Sequence, residues 1–216
     1  MFKRRLSASD IFLIIVNLVP LYGVWFENWN AVQVFLVYCL ETIIIGVFNI
    51  LKMASITLFV RPKDIWEYNG SKTIISGWFF ILFFIIHYGF FVFLQTQLFF
   101  VVSGLVKAES IFGSYQQISS LLGQDGKLLL LIFITYYTTQ YLFDFVNNGQ
   151  YKKVSLSRLM FQPYIRIFVQ QMIVIAGSIF LRFGAGKIFI LIVVAVKIFF
   201  EVFLNYEIIM KVKESD

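Results

Sequence analysis

Lys197 and Glu201 stand one helical turn apart inside Gly184 to Tyr206, an apolar run long enough to cross a bilayer. A charge near the centre of a spanning helix costs at least about 2.5 to 3.5 kcal/mol on insertion scales, so such residues face a bundle interior, a partner or a water-filled cavity. A separation of four places both side chains on one helix face, where they can pair locally. Glu41 lies about ten residues into an earlier apolar run, close to mid-membrane at about 1.5 Å of rise per residue, and cannot easily snorkel. Arg166 lies about two turns into a later run and Asp144 near the end of another. Arg166, Asp144, Lys197 and Glu201 therefore fall in one half of the membrane, where they could form a network about Glu41. The bland alternative is an ion network that fixes helix packing, with Arg166 and Asp144 reaching to the interface.

His87 is the single histidine and lies beyond the midpoint of its apolar run among Phe and Ile. Its unperturbed pKa near 6.5 suits a proton relay, but a neutral imidazole donating one hydrogen bond across a helix interface is the commoner use. Gln95, Gln97, Gln170 and Gln171 can serve as interhelical hydrogen-bond groups, worth about 0.6 kcal/mol each in membranes. Gly77, Gly89 and Gly177 suit close helix contact. With one Cys, Cys39, and one His, the sequence supports neither an intrachain disulfide nor a Cys/His metal site, and it implies no cofactor. It carries no P-loop, no G-x-S-x-G elbow and no H-E-x-x-H.

The elements that must position these groups are apolar helices. Of 216 residues, 60% are hydrophobic and only 14% charged, against about 25% charged in an ordinary soluble domain. The fold class expected is all-α, a polytopic membrane bundle in one domain covering residues 1–216. A span needs about 20 apolar residues, which gives six segments at about 11–25, 31–51, 73–102, 128–146, 159–181 and 184–206. The first, interrupted by Pro20 and Gly23, reads as short and kinked.

The net charge of +6 follows topology and argues against nucleic acid, because the basic residues fall between apolar runs and form no folded patch. Of the 18 Lys and Arg, twelve fall on one side: Lys3, Arg4, Arg5, Lys52, Arg61, Lys63, Lys72, Lys152, Lys153, Arg158, Lys211 and Lys213. Lys107, Lys127, Arg182 and Lys187 fall on the other, and Arg166 and Lys197 lie within spans. That asymmetry predicts six crossings of the cell membrane with both termini in the cytoplasm. The basic N-terminal stretch reads as the approach to a retained first helix, since no small-x-small cleavage pattern follows it.

Two connections exceed a turn. Ser55 to Lys72 suits an interfacial segment, or a helix extension followed by a turn at Pro62. On the other face, Ile111, Tyr115, Ile118 and Leu122 recur at helical spacing and predict an amphipathic helix between the third and fourth spans, lying along the membrane or capping the bundle.

An ordered series of motifs carries a resemblance. Asn17-Leu18-Val19-Pro20-Leu21-Tyr22-Gly23-Val24, Tyr38-Cys39-Leu40-Glu41 and Gly46-Val47-Phe48-Asn49-Ile50-Leu51-Lys52-Met53 open it; His87-Tyr88-Gly89-Phe90-Phe91, Pro163-Tyr164-Ile165-Arg166 and Lys197 with Glu201 follow. The series resembles an uncharacterised prokaryotic multi-pass membrane family, domain of unknown function 6498, over nearly the whole chain. The resemblance implies no activity, but it singles out Asn17, Glu41, Asn49, His87, Arg166 and Lys197. It also implies departures: Gln95 and Gln171 stand where many relatives have His, and Glu201 where they have Asp. An amide is a poor substitute for imidazole as a ligand, so any metal or haem held by those His in relatives is not expected here.

Three function classes stay open. The first is a small-solute or proton-linked transporter or channel whose polar route includes Glu41, His87, Arg166 and Lys197. The second is a membrane enzyme or redox-associated subunit acting on a lipid-soluble substrate, and the third a non-catalytic assembly or sensor subunit. A hydrated cavity at Glu41 and Lys197 favours the first, a lateral opening beside acid and base groups the second, and a dry, fully paired network the third. The partners expected are the lipid bilayer, a small solute or proton, and a second copy of the chain.

Overall fold

The computed structural model describes residues 8–60, 64–68, 71–103 and 116–200. Helix α1 covers Ala8–Phe26 and α2 covers Ala31–Ser55, prolonged by one wider, π-helical turn to Val60. Strands β1 (Asp64–Tyr68) and β2 (Ser71–Ile75) form an antiparallel hairpin. Helix α3 covers Gly77–Ser103, the short α4 covers Ile118–Leu121, and α5 covers Gly123–Thr139 with a π-helical continuation to Asn147. Helix α6 covers Leu156–Arg182 and α7 covers Gly186–Ile198.

Pro20 lies inside a continuous α1. Below it the chain reverses tightly: the Gly23 carbonyl accepts hydrogen bonds from the amides of Glu27 and Trp29, and Asn28 adopts a left-handed φ of 56°. Asn30 then caps α2, its Oδ1 accepting from the Val32 amide at 2.9 Å. Gly23 is required here because a Cβ would fall inside the Trp29 indole.

Helix α2 is apolar all round and mostly buried, which makes it the axis of the bundle. Around it, α3 is nearly as apolar and α5 and α6 less so, yet all three bury only a minor share of their surfaces. The outward face of α3 alone exposes Trp78, Phe79, Leu82, Phe83, Ile86 and Phe90, an apolar expanse that water does not tolerate but hydrocarbon does. Four helical stretches, Ala31–Val60, Gly77–Val101, Gly123–Asn147 and Leu156–Gly177, are long and apolar enough to cross a membrane. Of the other two expected segments, the first is a shorter apolar helix from Asp10 to Phe26, and the last, 184–206, is helical as α7 and lies only in part within the described residues. Among the described residues, helix length and composition thus carry four candidate spans.

Helix directions alternate. Thr42 meets Tyr88 and Phe35 meets Phe99, so α2 and α3 are antiparallel. Tyr38 meets Phe133 and Glu41 meets Tyr137, so α5 runs with α2. Asn49 reaches Leu159 and Phe35 lies against Gly177, so α6 runs against it. Phe35 meets Phe189 and Glu41 meets Lys197, so α7 again runs with α2.

The Ser55 to Lys72 connection differs from expectation. The helix does extend to Val60, but a hairpin follows, with Ile65, Trp66 and Tyr68 on one strand and Thr73, Ile74 and Ile75 on the other. These are strand-forming types, and Asn69-Gly70 between them is a strong two-residue hairpin signal. The third helix accordingly begins at Gly77 rather than Thr73. Of the expected amphipathic helix, Ile111 and Tyr115 lie outside the described residues; Ile118 and Leu122 pack on the bundle core beside α5.

Candidate functional site

Tyr38 and Glu41 are three residues apart on α2, and Phe133 and Tyr137 are four apart on α5, so each pair shares one helix face. The two faces meet. Glu41 accepts a hydrogen bond from the Tyr137 hydroxyl at 2.7 Å through Oε1, while Oε2 is paired with Lys197 Nζ from α7. The lysine head lies over the rings of Tyr38, 4.6 Å from its centroid, and Phe133, at 4.9 Å. Glu41 is 1% exposed and Lys197 6%. Three helices thus deliver a carboxylate, an ammonium, a phenol and two aromatic faces to one enclosed point. The aromatic faces replace part of the ammonium's lost hydration through the ring quadrupole, an effect that grows on desolvation.

Lys197 crosses to Glu41 instead of standing only against its own-helix neighbour; Glu201 lies outside the described residues. Arg166 is on α6, its side chain undescribed. Asp144 sits half-buried on the continuation of α5, two turns from Tyr137, beyond the last turn of that face. Of the five charged candidates, the two that meet among the described side chains are therefore Glu41 and Lys197.

The neutral candidates divide between the core and the surface. Asn49 donates to the Leu159 carbonyl at 2.9 Å and ties α2 to α6. Asn17 is buried on α1 and donates to the Leu13 carbonyl one turn back, and its Oδ1 has no hydrogen-bond partner among the described residues. Gln95 is 1% exposed on α3, and neither its amide oxygen nor its nitrogen has a hydrogen-bond partner among the described residues. Gln171 is half-buried on α6. His87 is exposed on α3, away from the ion pair, with Nδ1 2.7 Å from the Tyr164 hydroxyl of α6. Among the described residues no group of three or more His, Cys, Asp or Glu could hold a metal ion.

Sequence reasoning passed over Tyr137, Tyr38 and Phe133. The signal was present: Tyr136-Tyr137 lies mid-run in an apolar helix, and a phenol there must find an acceptor. The tyrosine pair splits, with Tyr137 reaching Glu41 and the Tyr136 ring tilted against Phe12 of α1.

The model of a family of unknown function, DUF6498, matches residues 1–215 of the chain. No curated protein and no solved structure matches it.

Proposed function

From the premise that this chain belongs to the DUF6498 family of unknown function, we propose that it is a six-span membrane subunit without catalytic activity, an assembly or sensor component. Its Glu41–Lys197 pair acts as an internal latch between the second and last helices. One observation carries this reading: both carboxylate oxygens of the enclosed Glu41 are occupied, by Lys197 and by Tyr137. A paired, shielded charge holds helices in register, whereas a route for ions needs a vacant polar group. The alternation of helix directions supports six crossings, with α1 and α7 completing the set, and twelve basic residues against four on alternate loops support cytoplasmic termini.

A second reading, a proton-linked solute carrier using Glu41 and Lys197, is favoured by a different observation. The Gln95 amide and Asn17 Oδ1 are enclosed without hydrogen-bond partners among the described residues, and buried polar groups of that kind are ordinarily met by internal water. Proteoliposomes containing a pH-sensitive dye separate the two readings. The latch predicts proton permeability equal to that of empty vesicles for the native protein and for Lys197→Met alike. Native proton-linked flux that Lys197→Met abolishes, in protein still inserted and folded, would sink the latch and establish the carrier.

A further inference from the structure

His87 and Tyr164 lie outside the ion pair and point to a ligand. His87 is the eleventh residue of α3, about 15 Å along the helix from Gly77. That depth is near the middle of the Gly77–Val101 stretch and far from the level of lipid headgroups. The imidazole is nevertheless on the outer surface, where an ionisable side chain is costly and by default functional.

The hydrogen count of the pair is decisive. A neutral imidazole has one N–H and a tyrosine one O–H, and a single hydrogen bond joins His87 Nδ1 to the Tyr164 hydroxyl. If the phenol donates, the His87 Nε2–H is left over; if Nδ1–H donates, the Tyr164 O–H is left over. Either tautomer presents one unspent donor to a hydrocarbon environment that contains no acceptor.

The walls around that donor are flat and apolar. Phe83 stacks on the imidazole at 5.1 Å and 17°, Phe91 meets it edge-on at 5.1 Å, and both phenyl groups are exposed. Phe161, one turn before Tyr164, is exposed on α6 and lies 6.3 Å from the Tyr164 ring. A helix from a second copy would need small residues for close approach. Gly89 is flanked at four-residue spacing by Ile85 and Phe93, so this face lacks the small-xxx-small pattern.

We propose that His87 and Tyr164 form a lateral, lipid-accessible seat for a ring-bearing carbonyl compound dissolved in the bilayer, of the quinone class. The carbonyl oxygen accepts the surplus hydrogen, and the planar ring lies among the exposed phenyl groups. The seat shares no residue with the Glu41–Lys197 pair, so its failure leaves the latch untouched.

The chain's single histidine makes the test direct. Untagged protein with 15N-labelled histidine, in ether-lipid nanodiscs, gives one imidazole signal set to follow by NMR. Duroquinone is expected to shift Nε2 saturably, whereas durene, the same ring without carbonyls, leaves it in place. Tyr164→Phe, which removes one member of the donor pair, is expected to weaken duroquinone binding about tenfold. No saturable shift, an equal response to durene, or unchanged affinity in Tyr164→Phe overturns the proposal. So does a probe-free signal that moves with protein-to-lipid ratio, which identifies a second copy as the occupant, or one that moves on changing ether for ester lipid, which identifies the lipid carbonyl.

Discussion

At the scale of residues, the decisive balance is between desolvation and pairing. Glu41 and Lys197 are enclosed together, so removing one partner strands a charge, which in buried pairs costs about 3–5 kcal/mol, whereas replacing both by apolar groups is often neutral or stabilising. Lys197→Met is therefore expected to lower the unfolding temperature in detergent sharply, and Glu41→Leu in the same chain to restore it. A double variant as unstable as the single would show that the pair is not an isolated latch. The depth of both residues was legible in the sequence from their position in apolar runs. Their partnership was not, because a separation of 156 residues leaves no trace in local spacing, while Glu201 at one turn from Lys197 offered a nearer match. Tyr137 was hidden for a similar reason, its neighbour Tyr136 being indistinguishable from it by composition.

At the scale of elements, glycines separate contact from mere permissiveness. Gly177 on α6 has no room: a Cβ would enter the Phe189 ring, itself fixed between Phe35 and Phe180. Gly89 on α3 has nothing near it. Gly177→Ala is expected to cost about 1–3 kcal/mol by overpacking, and Gly89→Ala to gain up to about 1 kcal/mol from helix propensity. Thermal unfolding of the two variants side by side checks this, and equal shifts would refute the α6–α7 contact. The helical fold of the apolar runs was legible from hydropathy alone, since backbone groups in lipid demand helix, and four of those runs are long enough among the described residues to span a membrane. The hairpin was not legible because Ile65, Trp66 and Tyr68 suit an interfacial face equally well, and Pro62 offers a turn that competes with Asn69-Gly70.

At the scale of the whole molecule, charge asymmetry and helix direction make one joint forecast. Cys39 is buried and free, so the native chain supplies a quiet background for thiol labelling. Lys152→Cys is expected to react with an impermeant maleimide only from the cytoplasmic side, and Lys127→Cys only from the opposite side; labelling of both from one side would refute alternate crossing. The interval between Glu41 and Lys197 also sets a timetable for synthesis. At about 5–20 residues per second, the acid is synthesised roughly eight to thirty seconds before its counter-ion, 156 residues later. During that interval the insertion machinery must shelter the unpaired Glu41 of the nascent bundle. Chains halted after Arg182 should consequently be cleared by membrane quality control faster than full-length ones in a pulse-chase, and the Glu41→Leu version of the same fragment should persist.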